Sequence, residues 1–417
     1  YSHLSSESKI TGILVDGKFS KFAKAGDEIE ITLDRTPFYA EGGGQLADGG
    51  FITLANGAKI EIDDVQAPVS GLSVHRGRVL NGEVEIGNQS HALVDIERRA
   101  AISRAHTATH MVHKAFREVL GETATQAGSE NSPGRFRFDF PAAGQVPDSV
   151  IQEVESRVNT LLLEDWEVTA EIMSQSEAKA IGAMALFGEK YGDKVRVVSV
   201  GDWARELCGG THVSRSGQLG VVKILSESSI GAGVRRVEAL VGVDAYRFLA
   251  REHILVNQLT DLLKGSKPEE LPERISDLLG KMREIEKEIS AIRSAQALAQ
   301  VGALAAKFRQ VGKVNLLAEQ LTDNIDGDDL RTMALDLRNR INESVVALIS
   351  NNGGKPVVVV AVSEFAQKIG IKAGALVKLA STTLGGGGGG KDDFAQGGGI
   401  DISKTKDALS AIEKALN

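Results

Sequence analysis

The sequence lacks the features that mark membrane proteins, secreted proteins and strongly basic proteins. It has one cysteine among 417 residues, which rules out an internal disulfide and is typical of a reducing, cytoplasmic compartment. No apolar run approaches the roughly 20 residues that span a bilayer, and no signal-peptide pattern is present. The net charge is −8, so contacts with nucleic acid would have to rest on local basic patches. Aromatic residues make up only 5%, which argues against a base-stacking platform.

The composition that remains predicts a globular chain with several domains. Apolar residues make up 42% and charged residues 25%, and the length favours roughly two to four domains. The chain begins at Tyr1 rather than at Met, so we expect a fragment or a processed product. We expect an α+β multidomain architecture with four parts: a small β-barrel (1–95), an α+β domain (96–243), a helical, coiled-coil segment (244–301) and a C-terminal α/β domain (302–417).

Short strands and tight turns predict the barrel. Residues 11–15 and 28–33 alternate with a period near two, and residues 16–17 and 56–57 are Asp-Gly and Asn-Gly turns. The stretch 35–45 contains three successive glycines, which would let the backbone approach a ligand or another surface closely. From its glycine content alone, we interpret this stretch as a tight, mobile loop.

A long amphipathic helix is predicted between Asp95, a suitable N-cap, and Gly121, which ends the apolar pattern. His106 and His110 lie four residues apart, so both imidazoles project from one face of this helix. Two donors on one face are the first half of a metal site. His113 lies near the same face and is a rival ligand.

The single cysteine lies in a second motif with the same spacing. Cys208 and His212 are four residues apart, and the two glycines between them allow a turn that brings both to one ion. One cysteine and three histidines are donors that zinc accepts in tetrahedral geometry. Four protein ligands leave no open coordination position, which is the pattern of a structural site. The metalloprotease helix, the Walker A motif, the Rossmann fingerprint and the G-x-S-x-G motif are absent.

The second half of the chain combines a helical seam with a glycine-rich terminus. Apolar residues from Ile275 to Ile292 keep a 3-4 alternation, which indicates a short coiled coil or helical hairpin, within the chain or against a second copy. Six glycines at 385–390 are followed by Lys391, and such a run is not expected to form a stable helix or a filled strand. A linker is one interpretation. We favour a loop that lays backbone N–H groups and Lys391 against phosphate.

Several of these stretches, taken in order, resemble the C-terminal half of alanyl-tRNA synthetases. The resemblance covers essentially the whole chain. It rests on residues 35–41 (RTPFYAE), 106–110 (HTATH), 182–191 (GAMALFGEKY), 206–212 (ELCGGTH), 231–238 (GAGVRRVE) and the terminal glycine-rich run with 393–396 (DFAQ). Gly42 departs from the family pattern, which often has serine at that position, and this argues against a hydroxyl role there.

The resemblance implies an editing domain followed by a tRNA-binding domain. In this family the editing domain hydrolyses serine or glycine wrongly esterified to alanine tRNA. No stretch matches the class II aminoacylation core, so the chain is expected to edit tRNA but not to charge it. The expected partner is mischarged alanine tRNA, and we also expect a homodimer through the helical and C-terminal domains. No membrane partner is expected.

The resemblance also implies roles for single residues. It selects His106, His110, Cys208 and His212 as the ligands of one zinc ion per chain, and it places His113 on the helix surface or behind the ligands. Expected pocket residues are Thr109, Gln126 and Asp202, and expected tRNA contacts are Arg35, Arg235, Arg236 and Lys391. A bond from Thr109 to its own helix and a turn-capping Asp202 are the structural alternatives.

The sequence shows no convincing nucleophile, so the expected mechanism is direct attack by water without an acyl-enzyme. Two other functions stay open. The main alternative is a tRNA-binding or dimerising module whose zinc is purely structural. The second is a zinc hydrolase that acts on small aminoacyl esters.

Overall fold

The structure is a computed structural model that describes residues 3–184, 192–265, 267–321 and 325–417. Contacts between residues divide the chain into two compact units, Tyr1–Leu259 and Thr260–Asn417, and each has hydrophobic clusters of its own. The predicted mixed α/β multidomain architecture is confirmed. Within the described ranges, none of the helices combines the length and the apolar character that a membrane crossing requires.

Six strands at the start of the first unit close into a barrel, as predicted. The strands of this region are β1 (Ser5–Val15), β2 (Lys18–Ser20), β3 (Phe22–Lys24), β4 (Glu28–Leu33), β5 (Gly50–Leu54), β6 (Lys59–Val69), β7 (Leu72–Asn81), β8 (Glu83–Glu85) and β9 (Gln89–Val94). The barrel runs β1-β4-β7-β6-β5-β9 and closes because β9 pairs antiparallel with β1. β2 pairs with the far end of β1, and β3 with β8.

Alternating apolar side chains fill the barrel and set its register. Ile10 and Ile13 of β1 and Ile31 of β4 are at most 1% exposed, whereas their neighbours along each strand face outward. Asp16 and Gly17 have φ angles of 50° and 72°, as a two-residue hairpin requires, so the turn between β1 and β2 is the predicted one.

One long helix and two small sheets follow the barrel in the same unit. The elements are α1 (Ile96–Leu120), β10 (Gly128–Ser132), β11 (Arg135–Pro141), α2 (Asp148–Leu162), β12 (Val168–Ser174), α3 (Gln175–Ala180), β13 (Lys194–Val200), β14 (Ala204–Leu207), β15 (Val222–Gly231) and β16 (Val234–Val241). The antiparallel sheets have the orders β10-β11-β16-β15 and β12-β13-β14. Helix α1 packs on the first sheet and on α2.

Helix α1 begins and ends where the sequence predicts. The Asp95 side chain accepts a hydrogen bond from the N–H of Arg98, and Gly121, with φ 94°, ends the helix. Phe116 of α1 packs against two fully buried phenylalanines of β11, with ring centroids 6.3 Å from Phe138 and 4.9 Å from Phe140. Burying side chains of this size stabilises the fold by roughly 1.5–3 kcal/mol each. This packing holds in place the helix that carries the two predicted histidine ligands.

Two helices connect the first unit to the C-terminal sheet. Helix α4 (Val243–Leu262) reaches the boundary between the units, and α5 (Leu271–Ala305) lies in the second unit. The predicted seam on α5 is 44–56% exposed at Leu278, Met282, Ile285, Ile289 and Ile292. The last turns of α5 instead pack into the core of the second unit, so the predicted boundary at 301/302 falls inside this helix.

The C-terminal part is a six-stranded mixed sheet with helices on both faces. Its elements are β17 (Arg309–Val311), β18 (Val314–Gln320), α6 (Gly327–Arg340), β19 (Ser344–Asn352), β20 (Lys355–Val362), α7 (Glu364–Lys368), α8 (Ala373–Thr383), β21 (Gly388–Gly390), β22 (Phe394–Gly398) and α9 (Thr405–Lys414). The order is β17-β18-β19-β20-β22-β21, and only the β18–β19 pair is parallel among these described strands. Helices α5 and α6 cover one face, and α8 and α9 the other.

The glycine-rich terminus forms the edge of this sheet. Three of the six glycines form strand β21, which corrects the interpretation of the whole run as a loop, and the strand carries no side chains, as the run of glycines implies. Strand β21 pairs antiparallel with β22. A Cβ atom at Gly388 would lie 2.5 Å from the Cα atom of Gly397, which is closer than any real side chain allows. The glycines therefore permit a close approach between two strands, and Lys391 is exposed in the connection between them.

Candidate metal centre

Helix α1 presents two imidazoles side by side. His106 and His110 are each 3% exposed, and their rings stack with centroids 5.1 Å apart and an interplanar angle of 26°. The four-residue spacing produces this arrangement, because side chains one helical turn apart share a face. His113 lies outside the cluster that these rings join, and its ring packs against Phe138 with centroids 5.0 Å apart.

The loop that follows β14 brings the other two predicted ligands to the helix. The N–H of Cys208 donates to the carbonyl of Arg196 (3.0 Å), and Nη1 of Arg196 donates to the carbonyls of Cys208 and Gly210 (2.8 Å each). A Cβ atom at Gly210 would lie 2.2 Å from Cε1 of His106. Only glycine at this position lets the loop come this close to α1.

The four predicted donors converge on one point. The donor atoms of His106, His110, Cys208 and His212 all lie within 4.8 Å of one another. Sγ of Cys208 is 3.4 Å from Nε2 of His106 and 3.2 Å from Nε2 of His212. Nε2 of His110 is buried and has no hydrogen-bond partner in the described part of the chain. An orphaned buried nitrogen is costly, and three imidazoles with one thiolate are a ligand set for a transition metal, so these residues fit a metal ion.

Each imidazole of the cluster is oriented through its second nitrogen. Each Nδ1 is hydrogen-bonded to a side-chain oxygen that acts as the acceptor. The oxygens belong to Gln45 for His106 (2.8 Å), to Thr107 for His212 (3.1 Å) and to Glu206 for His110. Such bonds fix the ring tautomer with the proton on Nδ1, which leaves Nε2 as the donor to a metal.

Glu206 is a site residue that spacing arguments miss. It is 1% exposed, and its two carboxylate oxygens accept from His110 and from Nδ1 of His113, the latter at 2.8 Å. His113, which the sequence offers as a rival ligand, therefore lies behind the cluster as a partner of Glu206. A signal was available in the sequence, since an acidic residue two positions before the only cysteine requires a partner if it is buried.

The charges of the cluster set the protonation of its members. Burial raises the pKa of the Cys208 thiol, but the surrounding His106, His212 and His110 outweigh it and hold that pKa well below its usual range. Burial lowers the pKa of His212 to about 3. Burial also opposes a proton on His110, yet Glu206 and Cys208 together raise its pKa to about 10. A thiolate at Cys208 and a neutral ring at His212 are the forms that bind metals, and a bound cation would displace the proton of His110.

The glycine-rich loop of the barrel is part of this site, which corrects its interpretation as a mobile loop. Gln45 is fully buried and, besides His106, accepts from the N–H of Thr211 (2.8 Å) and donates to its hydroxyl (2.9 Å). A Cβ atom at Gly44 would lie 2.2 Å from Oγ of Ser129. The glycines thus let the loop pack against the α+β part of the unit, and Gln45 is a second residue that spacing does not reveal.

Two of the three predicted pocket residues lie beside this loop. The hydroxyl of Thr109 is 2.6 Å from Oδ1 of Asn131 and 3.0 Å from the carbonyl one turn earlier in α1, so the structural alternative of a helix back-bond also holds. The N–H of Asn131 donates to the carbonyl of Gly44 (2.6 Å). Gln126 donates to Oγ of Ser129 (3.2 Å), the residue that contacts the same loop.

The third predicted pocket residue lies elsewhere. The side chain of Asp202 is fully exposed on the turn between β13 and β14, where it pairs with Arg205. The structure does not bring Asp202 to the buried cluster, because the turn that carries it points away from the end of β14 where the metal loop begins.

The four predicted tRNA contacts fall into two groups. Arg35 and Lys391 are exposed. Arg235 is held by the carboxylate of Glu227, and Arg236 makes a two-pronged bond with Asp139 (2.7 and 2.8 Å). These last two guanidinium groups tie neighbouring strands together. The stretch at 182–191, on which the resemblance also rests, lies mostly outside the described residues.

Comparison with known proteins gives three family matches within the chain. Residues 1–98 match the family described as "tRNA synthetases class II (A)", and residues 313–417 match the "DHHA1 domain". Residues 195–238 match the "Threonyl and Alanyl tRNA synthetase second additional domain". The last match contains Glu206, Cys208 and His212.

Curated relatives match the whole length of the chain. It is 60% identical over 415 residues to an alanine–tRNA ligase of Nocardioides sp., covering 99% of this chain and 46% of that protein. It is 58% identical to the alanine–tRNA ligase of Acidothermus cellulolyticus, covering 100% of this chain and 47% of that protein. The chain therefore spans about half the length of the curated relatives it matches. The solved C-Ala domain from Aquifex aeolicus alanyl-tRNA synthetase is 31% identical, covering 26% of this chain and 97% of that chain, with a TM-score of 0.25.

Proposed function

We propose, from the premise that the chain belongs to the alanine–tRNA ligase family, that it hydrolyses serine or glycine wrongly esterified to alanine tRNA. The observation that carries this proposal is the buried cluster of His106, His110, Cys208 and His212, with the barrel loop packed beside it. The match of residues 195–238 to a second additional domain of threonyl- and alanyl-tRNA synthetases supports it, because that segment supplies two of the four donors.

Zinc is the ion that we assign to the cluster, one per chain. One thiolate and three imidazoles are donors that zinc accepts, and four such donors complete a tetrahedral sphere. When bound, zinc would fix the four donors in place, and it would polarise the aminoacyl end of the substrate as a Lewis acid only by expanding to a fifth coordination position. Gln45, Thr107 and Glu206 orient the three rings for this purpose.

The described residues around the cluster favour direct attack by water. Sγ of Cys208 is engaged with the rings of His106 and His212, and the hydroxyl of Thr109 is bonded to Asn131. The Cys208 thiolate would be a ligand of the bound metal, and the partner of the Thr109 hydroxyl is an amide oxygen and not a base, so no acyl-enzyme is expected. The ester of an aminoacyl-tRNA is already reactive, and holding it next to a water in a fixed geometry supplies much of the acceleration.

Selection of serine over alanine rests on polar groups that the substrate hydroxyl satisfies. Gln126 is partly exposed and donates one N–H to Ser129 beside the glycine-rich loop, and its second N–H and its Oε1 are the groups that would bond such a hydroxyl. Alanine would leave this amide without that partner, and sites built to bond a hydroxyl discriminate strongly against analogues that lack it.

The C-terminal sheet is proposed to hold the body of the tRNA through phosphates. Lys378 and Lys391 are exposed, and neither makes an ion pair within the described residues, whereas Lys368 pairs with Glu364. Replacing Lys378 and Lys391 by glutamine should lower the salt dependence of tRNA binding by about one unit of slope per lysine. Lys368→Gln is the matched control, and an unchanged slope in the double variant would remove this role.

A tRNA-binding or dimerising module with a purely structural zinc is the second candidate function. The closed set of four protein ligands and the half-exposed seam on α5 favour it. Gln126→Ala separates the two candidates, because it alters the proposed pocket and leaves all four ligands in place. Loss of hydrolysis with full zinc content and unchanged tRNA affinity supports editing, whereas a wild-type protein that binds tRNA and zinc but hydrolyses nothing supports the module.

The proposed activity is tested by deacylation of alanine tRNA carrying serine, glycine or alanine. Zinc content is measured on the same protein sample. We expect rapid hydrolysis of the serine ester and slow hydrolysis of the alanine ester. The glycine ester has no hydroxyl, so its rate shows whether the site also selects by a means other than the hydroxyl contact. A zinc-loaded chain that leaves Ser-tRNA intact contradicts the proposal.

A further inference from the structure

A cavity of about 1130 Å³ opens beside the metal cluster in the first unit. Thr211 and His212 form part of its wall, so the cavity reaches one of the four predicted ligands. The first turns of α1 and strand β12 supply most of the other lining residues. This volume exceeds what the side chain of one small amino acid needs and is at the upper end for ligand sites in proteins.

The wall of this cavity is positively charged. Its sixteen lining residues, all in the described part of the chain, include three arginines and no aspartate or glutamate. Over the whole chain the acidic residues outnumber Lys and Arg by 56 to 48, so the composition of the cavity runs against that of the protein. A concave site lined by one sign of charge concentrates ligands of the opposite sign.

The three arginines differ in what they already bind. Arg99 is buried and tied to the carboxylate of Asp48, and Nη1 of Arg196 is bonded to the carbonyls of the metal loop. The side chain of Arg104 is half-buried, and its guanidinium makes no hydrogen bond or ion pair with any residue that the structure describes. Arg104 is therefore the lining arginine whose donors remain available to an anionic ligand.

The side of the cavity formed by β12 is apolar and unusually open. Val168, Ala170 and Ile172 alternate along this strand and face the cavity, and Ile96 of α1 lies on the same rim. Ile172 is 73% exposed and Ile96 is 52% exposed. An apolar wall and a free guanidinium in one cavity complement a ligand that carries both flat apolar faces and a negative charge, which is the chemistry of a nucleotide.

We propose that this cavity holds the single-stranded 3′ end of the tRNA, with Arg104 bonded to a phosphate and the β12 wall against a base or ribose. This inference rests on the proposed function and names the surface that leads the aminoacyl ester to the cluster. Single-stranded RNA ends are recognised through such contacts with exposed bases and phosphates. Arg104 is a positioning residue, because it holds the RNA and does not touch the reacting ester.

The test compares Arg104→Gln with wild-type protein in two assays. The first is binding of an uncharged RNA hairpin that ends in four unpaired 3′ nucleotides, over a range of salt concentrations. We expect about tenfold weaker binding and a salt slope lower by about one, as the loss of one phosphate contact predicts. The second is Ser-tRNA hydrolysis, where KM should rise with little change in kcat. Arg104→Lys keeps the charge and should restore the slope.

A second variant, on the β12 wall, tests the same cavity independently in case Arg104→Gln does not fold. Ile172→Asp places a negative charge where the RNA is expected, and the exposure of Ile172 makes the change tolerable for the fold. It should weaken hairpin binding at least as much as Arg104→Gln. Leu163→Asp, at an 86% exposed leucine that does not line the cavity, and Arg247→Gln, at a 66% exposed arginine on α4, are the matched controls and should bind normally.

The outcomes separate this inference from the function on which it rests. Unchanged hairpin affinity in both Arg104→Gln and Ile172→Asp, in a protein that hydrolyses Ser-tRNA, overturns the cavity assignment and leaves editing in place. Equal losses for a blunt hairpin without unpaired nucleotides also overturn it. A wild-type protein that does not hydrolyse Ser-tRNA contradicts the proposed function, and Arg104-dependent hairpin binding then still supports the cavity as an RNA site.

Discussion

Replacing Glu206 by glutamine perturbs the orientation of the metal ligands without removing a ligand. The carboxylate is 1% exposed and accepts hydrogen bonds from His110 and from Nδ1 of His113, the latter at 2.8 Å. A glutamine has a single carbonyl oxygen, so it accepts from one imidazole and directs its NH₂ group at the other. One pair of donors then faces each other in the core.

The expected loss depends on which imidazole absorbs this mismatch. If His110 does, its proton moves to Nε2, the atom that must face the metal, and the ligand is lost until the ring reverts. If His113 does, only a second contact is lost, because His113 holds no metal. Disrupted outer contacts of this kind lower metal affinity by about 10- to 100-fold, or roughly 1.4 to 2.7 kcal/mol. An unsatisfied buried donor costs a similar amount.

The assay is a competition titration of zinc against a chromophoric chelator, together with the visible spectrum of the cobalt-substituted protein. Glu206→Gln should bind zinc about 10- to 100-fold more weakly and alter the cobalt bands. Glu364→Gln removes a similar carboxylate from an exposed pair with Lys368 in the other unit and should change neither readout. Wild-type zinc affinity in Glu206→Gln would refute the account of ring orientation.

Three further predictions follow from the packing. Gly210→Ala places a Cβ atom 2.2 Å from Cε1 of His106, so zinc content should fall below that of wild type when measured by metal analysis. Burial lowers the pKa of His75 from 6.5 to about 4, although its hydrogen bond to the Ile31 carbonyl raises it in part. The unfolded chain therefore takes up a proton at a higher pH than the folded chain, and the free energy of unfolding falls by roughly 3 kcal/mol as the pH drops from 6.5 towards 4. His75→Gln should remove this difference between urea unfolding measured at about pH 7 and at about pH 4. We propose that the half-exposed seam of α5 pairs two copies of the chain, so wild-type protein should sediment as a dimer and Ile285→Glu as a monomer.

The parts of the site that the sequence reveals are those set by local geometry. His106 and His110 share a face because they lie one turn apart, and Cys208 and His212 are joined by a short loop. Gln45 reaches His106 from 61 residues away, and that contact depends on how the barrel packs against α1. No periodicity in the sequence carries such information.

Strand pairing explains why Asp202 and Arg236 do not have the surroundings that the sequence predicts. Asp202 precedes the cysteine by six residues, but strand β14 lies between them, and Asp202 is exposed at the turn that precedes this strand. Arg236 follows a glycine-rich turn and resembles a free cation, yet the pairing of β11 with β16 sets it opposite Asp139.

The fold shows the same division between local and distant determinants. Both ends of α1 and the turn after β1 follow from capping and turn residues. Closure of the barrel requires residues 5–9 to pair with residues 89–93, and the alternation of apolar side chains is compatible with that pairing without specifying it. The glycine run forms a strand because a neighbouring strand and α8 accept it, which outweighs its weak intrinsic preference.

The ratio of two deacylation rates tests the central claim most directly. Zinc-loaded chain is mixed in excess with alanine tRNA carrying either serine or alanine, and single-turnover hydrolysis is followed for both. The account predicts that the serine ester is hydrolysed at least about 100-fold faster than the alanine ester, and that Gln126→Ala loses this preference while it keeps its zinc. Equal rates for the two esters, or no hydrolysis of the serine ester by zinc-loaded protein, would contradict the account.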